Sequence, residues 1–270
     1  STVVGEERID LRRQLRAIAD RHARFRNAEW VMPEPELARL QRIVAGLEST
    51  DPMGQARALF DEWMPLYAED YAEAERALDQ RRRAAVAELA ASGGAQAVRE
   101  LAGIVRIPRL AAYAVAVGVR DEDVLEDLLN DGDPGAPAPE FATWLAGNMR
   151  LDRGPSFDAR ISELADRHRW SPVRTASMLL TWPEEPETWR LVDALGPEAV
   201  AHFWSNREPR RFEGDATDLQ TLVRSYVAAG RAGTALEAIH DREKDLDWST
   251  VRELLSARAA EISTQGLRSD

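Results

Sequence analysis

The chain has 270 residues, 44% hydrophobic and 30% charged, with a formal net charge of −12 and no cysteine. That balance describes a folded protein rather than a disordered one. It disfavours a nucleic-acid backbone as the main partner and rules out disulfides, thiolate metal sites and cysteine nucleophiles.

Almost every segment reads as helix. Ile9, Leu11, Leu15, Ile18 and Ala19 recur largely at the three- and four-residue steps of one helix face. Pro33 and Pro35 close that region, and a second stripe runs through Leu37, Leu40, Ile43, Val44 and Leu47. Asp51–Pro52 is a start signal, an N-cap followed by proline at the first helical position, and opens a helix carrying Ala56, Leu59, Phe60 and Trp63. A long helix over Ala68–Ala91 places Glu73, Glu75 and Asp79 before Arg81, Arg82 and Arg83.

From Gly93 the helices shorten. Gly94–Val105, Pro108–Val117 and Asp121–Leu129 precede Asn130–Pro139, a loop with three prolines and two glycines. After it the pattern predicts Phe141–Met149, Phe157–His168, Pro172–Thr181, Glu187–Leu195, Pro197–Trp204, Ala216–Ala229, Ala232–His240 and Ser249–Ile262. Nothing shows sustained period-two alternation, so the expected fold is all-α. Short helices joined by brief loops pack on their sequence neighbours, which predicts an irregular array of antiparallel helical hairpins. The expected division is 1–92 with longer helices, 93–130 with short ones, a loop at 131–139, and a hairpin portion over 140–270.

Three stretches restart after a Gly-centred break: Leu89–Leu101, Ala194–Phe203 and Val227–Ile239. Aligning Val200 with Leu236 spaces the last two 36 residues apart, close to a helical-hairpin period. Tyr226, Gly230 and Ala235 fit part of the tetratricopeptide pattern, although no unit carries its full Trp–Leu–Gly–Tyr order. Over Ala85–Leu129 and Phe157–Ile262 the chain therefore resembles tetratricopeptide-like and HEAT-like repeats. The Trp- and Arg-rich C-terminal half also resembles helical-repeat regions of large bacterial multidomain proteins. The resemblance implies an α-solenoid with a concave binding face.

Four kinds of residue invite a chemical reading. His22, His168, His202 and His240 lie in no metal-ligand spacing, so no metal or cofactor is expected. Asn130, Asp131, Asp133 and Glu140 resemble part of a calcium loop, but the glutamate falls at position ten and the middle is Pro-Gly-Ala-Pro, which reads as a solvated turn. Carboxylate pairs such as Asp61–Glu62 and Glu184–Glu185 are common at this density, and nothing local sets one apart for acid–base work. Glu163–Leu180 can be read as helix–turn–helix with Arg174, Thr175 and Ser177 facing bases.

Trp170, Trp182, Trp189 and Trp204 fall close together, interleaved with Arg169, Arg174, Arg190 and Arg207. Large aromatics of this kind plug seams between hairpins; on a surface with arginines they make a protein-binding hot spot. Core is expected for most, with at least one partly exposed.

The leading expectation is a non-catalytic scaffold that binds a protein partner, or another domain of its own chain, through Trp182, Trp189, Arg190, Trp204 and Arg207. The alternatives are an enzyme whose acids meet only in the fold, and a DNA-binding regulator using residues 163–180. With no membrane-length apolar run and no signal-peptide pattern, the expected compartment is the cytoplasm. A start at Ser1 without methionine fits a processed protein or a piece of a longer one.

Overall fold

A computed structural model of the chain describes residues 2–60, 70–131, 139–209 and 212–266. Trp63, the Asp61–Glu62 pair and Asp133 lie outside them, as does most of the Pro/Gly-rich loop. Among the described residues there are fourteen α-helices and no strand, so the fold is all-α. The chain divides into two compact units, Ser1–Leu128 and Leu129–Asp270.

In the first unit, α1 (Thr2–Arg24) packs on α2 (Glu34–Gly46), and α3 (Pro52–Ala58) packs on α4 (Tyr71–Ile104). Asp51 caps α3 by accepting from the Gly54 N–H at 2.8 Å, and Asp70 caps α4 by accepting from Glu73 at 3.0 Å. Then come α5 (Pro108–Gly118), which lies against α4, and α6 (Glu122–Leu129). The two helices expected over 68–91 and 94–105 follow one another as the two arms of α4, which kinks at Gly94, where the backbone leaves helical geometry with φ 61° and ψ −155°. Only glycine adopts that backbone region at little cost.

The second unit holds α7 (Pro139–Arg153), α8 (Phe157–His168), α9 (Pro172–Leu179), α10 (Pro186–Ala194) and α11 (Pro197–Asn206). It ends with α12 (Ala216–Ala228), α13 (Ala232–Ile239) and α14 (Trp248–Gly266). Proline stands in the first turn of α9, α10 and α11, where its missing N–H costs nothing and its φ is already helical. Helix α9 packs against both α7 and α11, and α12 against both α13 and α14.

Short helices leave a large fraction of their C-terminal carbonyls unsatisfied, and in this chain arginines from elsewhere cap them. Arg8 donates to Gly46 O at the end of α2 (3.0 Å), Arg82 to Leu59 O after α3 (2.9 Å), and Arg99 to Asp127 O in the last turn of α6 (3.3 Å). In the second unit Arg207 donates to Leu179 O and Leu180 O at the end of α9. Arg231 donates to Trp204 O and Arg207 O at the end of α11, at 2.9 and 2.7 Å. A forked guanidinium can reach several carbonyls at once and places positive charge at the negative helix end. Lysine cannot form the same fork. Burial pushes the Arg82 guanidinium below its ordinary value, with Asp79 opposing the shift, and its plane lies over Phe60.

Candidate interaction surface

The tryptophans grouped in the sequence form a core. Trp170, Trp182, Trp189 and Trp204 are all buried, so the expectation that at least one is partly exposed is not met. Trp189 and Trp204 meet at 6.0 Å between ring centroids, Trp189 stacks on Phe212 at 5.6 Å, and Trp204 meets Phe203 and Tyr226 edge-on at 5.2 and 5.1 Å. Trp189 and Trp204 each have more than one aromatic neighbour, so exposing either would forfeit both area and ring contact.

Arg207 is also enclosed rather than displayed. Its Nε donates to Glu184 Oε2 at 2.7 Å, and its terminal nitrogens reach Leu179 O, Leu180 O and Trp182 O, the last at 2.7 Å. Glu184 Oε1 accepts from Trp189 Nε1 at 3.1 Å. The network ties the end of α9 and the turn before α10 to the end of α11, and a buried ion pair held by this many hydrogen bonds is satisfied internally. Of the five residues expected to bind a partner, only Arg190 stands exposed, and it pairs with Glu187 one turn earlier.

The helix–turn–helix shape is present as α8, a left-handed Arg169 (φ 54°) and α9 capped by Ser171. Its proposed reading residues face neighbours instead. Arg174 donates to Asn130 and stacks on Trp170 at 4.8 Å; Thr175 is buried; Ser177 is bonded within the fold. Asn130, read as part of a calcium loop, accepts from Trp170 Nε1 at 2.9 Å.

The enzymatic reading meets one suggestive arrangement. Ser177 Oγ lies 2.8 Å from His202 Nε2, with Asn206 Nδ2 3.4 Å from His202 Nδ1. The hydroxyl, however, donates to Val173 O at 3.0 Å. With the hydroxyl proton directed to that carbonyl, Oγ can only accept from His202 Nε2, a polarity opposite to that of an activated nucleophile. A shallow cleft of about 200 Å³ between α1 and α2 includes Asp20 and Glu48. Both acids are exposed and ion-paired, with Arg16 and Arg12. No group of three or more metal-ligating side chains occurs among the described residues.

Exposed aromatics gather instead at the end of α1. Trp30, Tyr71 and Phe25 are 49%, 44% and 42% exposed. Arg21 lies over the Trp30 ring at 4.8 Å, and Arg24 lies over Phe25 and Tyr71 at 5.5 and 5.7 Å while donating to the Tyr71 hydroxyl at 3.2 Å. Phe25 and Trp30 are 5.7 Å apart.

The segment that carries Trp30 is held by its own bonds. Phe25 N–H donates to Arg21 O, Ala28 to Phe25 O and Val31 to Ala28 O. Met32 N–H donates to His22 Nδ1 at 2.9 Å, and the His22 ring meets Trp30 edge-on at 5.4 Å. His22 Nδ1 is therefore an acceptor, and the ring is the tautomer protonated at Nε2.

The sequence signal for this cluster was present but dispersed. Arg21, His22 and Arg24 crowd the last turn of α1, Phe25 and Trp30 follow in a polar loop, and Tyr71 joins from far along the chain. Density of tryptophan along the sequence pointed to the other half. A second set of exposed apolar residues, Trp248, Leu255 and Ile262, lies seven residues apart on α14. No helix among the described residues is long and apolar enough to cross a membrane. No family model, curated protein or solved structure matches this chain.

Proposed function

We propose that the chain is a non-catalytic helical scaffold, an irregular array of hairpins of the tetratricopeptide-like and HEAT-like kind, that docks a protein partner. The observation that carries this reading is the exposed Trp30–Phe25–Tyr71 group with Arg21 and Arg24 stacked on it. Tryptophan, tyrosine and arginine dominate protein-binding hot spots because they offer large rigid area and a directional charge at small entropic cost. Packing of α9 on both α7 and α11 also supports a stacked array. In this reading Trp182, Trp189, Trp204 and Arg207 keep the scaffold's shape and make no direct contact with the partner.

The test is capture from a lysate of the source organism on the immobilised chain, comparing wild type with Trp30→Ala and with Trp248→Ala as an exposed control. A protein held by wild type and by Trp248→Ala, and reduced about 30-fold by Trp30→Ala, is the expected result for a hot-spot residue. Equal capture by Trp30→Ala, with unchanged circular dichroism, overturns the assignment of the site.

A further inference from the structure

The charge around Trp30 narrows what can sit there. From Arg21 to Ala28 the chain reads Arg-His-Ala-Arg-Phe-Arg-Asn-Ala, a short cationic run without an acid on a protein of net charge −12. Within it Arg21 is exposed, and among the described residues no carboxylate pairs with it. Other surface arginines do find one: Arg13 pairs with Asp10, Arg160 with Glu163 and Arg224 with Asp247.

The Trp30 ring lies beneath the Arg21 guanidinium, 4.8 Å from centroid to the central carbon. It covers one face of the group and leaves the N–H donors at its edge, the geometry that receives a carboxylate bidentately. Because the side chain already rests over the ring, less rotamer entropy is lost when an anion binds. Beside this donor the exposed parts of Trp30 and Phe25 offer apolar area but no charge.

Resting on the protein-docking reading above, we propose that this cluster receives a short acidic segment of the partner. One carboxylate pairs with the edge of Arg21, and a neighbouring aliphatic side chain lies on Trp30 and Phe25. A nucleic-acid strand presents the same charge sign and also stacks on aromatics. Its charge repeats at every nucleotide, however, and the cationic run is bounded by Asp20 on one side and by Glu29, Glu34 and Glu36 on the other. A polyanion extending past the cluster meets those acids; a short acidic peptide does not.

Fluorescence anisotropy of the full chain with three labelled probes tests this. The probes are a short peptide alternating glutamate and leucine, the same peptide with glutamine for glutamate, and oligothymidylate. The glutamate peptide is expected to bind in a salt-sensitive way, and the glutamine peptide at least about ten-fold more weakly, the worth of a charged hydrogen bond. Arg21→Gln should cost a similar factor, with Arg21→Lys intermediate, because it keeps charge but loses the fork. Trp30→Phe should keep more binding than Trp30→Ala, which controls for disturbance of the loop.

Equal binding of the glutamate and glutamine peptides, an unaffected Arg21→Gln variant, no binding of the glutamate peptide, or tighter binding of oligothymidylate each overturns the proposal. If lysate capture still depends on Trp30 while the glutamate peptide fails, the acidic chemistry is wrong and the docking reading stands. If neither depends on Trp30, both fall.

Discussion

Arg207 and Arg21 show how the same residue type takes opposite roles according to what surrounds it. Arg207 is fully buried, spends its donors on Glu184 and three carbonyls, and stacks on Phe203 at 4.8 Å. Arg21 lies over Trp30 at the same distance but is exposed. Removing Arg207 strands Glu184, whose side chain is only 4% exposed, together with three carbonyls. Arg207→Leu is therefore expected to destabilise the second unit by about 3–5 kcal/mol, the usual cost of leaving one partner of a buried pair. Urea unfolding followed by circular dichroism measures it. A loss below about 1 kcal/mol would mean that the clamp contributes little. Sequence reasoning placed both Arg207 and the neighbouring tryptophans in one group but could not tell inward from outward, because burial depends on which helix arrives next to them.

At the scale of the element, local chemistry was highly legible. The expected Phe157–His168 helix has those bounds in the structure, and α9 to α13 differ from their expected bounds by at most two residues. Cap residues and first-turn prolines act within a few bonds, so no tertiary information is needed to place a helix start. The bend at Gly94 was visible as a break in the sequence, and the structure places the one non-helical backbone conformation of α4 at that residue.

Helix α14 offers a test of such a cap. Asp247 accepts from the Ser249 hydroxyl at 2.6 Å and from the Thr250 N–H at 2.7 Å, with Arg224 at 3.4 Å. The Ser249 bond first, then the Thr250 N–H, hold its carboxyl at about 2, below the ordinary 3.8. A depressed folded-state value means the cap stabilises above the ordinary value and fades as pH falls from about 4 through about 2. Across that window the melting temperature of wild type should fall further than that of Asp247→Asn, converging on it at the acid end. Parallel curves would show that the cap carries no pH-linked stability.

For the whole molecule the main fact is the division into Ser1–Leu128 and Leu129–Asp270. Each unit has its own buried set: Phe60, Val86, Val98, Leu101 and Val115 in the first, Trp182, Phe203, Leu222 and Tyr226 in the second. The arginine caps also close within each unit: Arg8, Arg82 and Arg99 bond inside the first, Arg207 and Arg231 inside the second. Expressed separately, the two pieces are expected to keep a helical spectrum and to unfold each in one cooperative transition, as domains of this size do. A piece that is unfolded at room temperature would show that its core is incomplete without the other.

The sequence by itself determined that the chain is all-helical, where most helices start, and that glycine breaks and acidic caps punctuate them. These properties follow from backbone sterics and hydrogen bonding over a few residues. Only the tertiary structure decided which tryptophans and arginines are exposed. Four tryptophans close together in sequence, two on helices and two in the turns between them, are buried, whereas Trp30, isolated in sequence, stays exposed beside Arg21 and Phe25, and Arg24 joins Phe25 to the distant Tyr71 at the start of α4. A surface is defined by where helices end relative to one another, and that is a property of packing rather than of spacing along the chain.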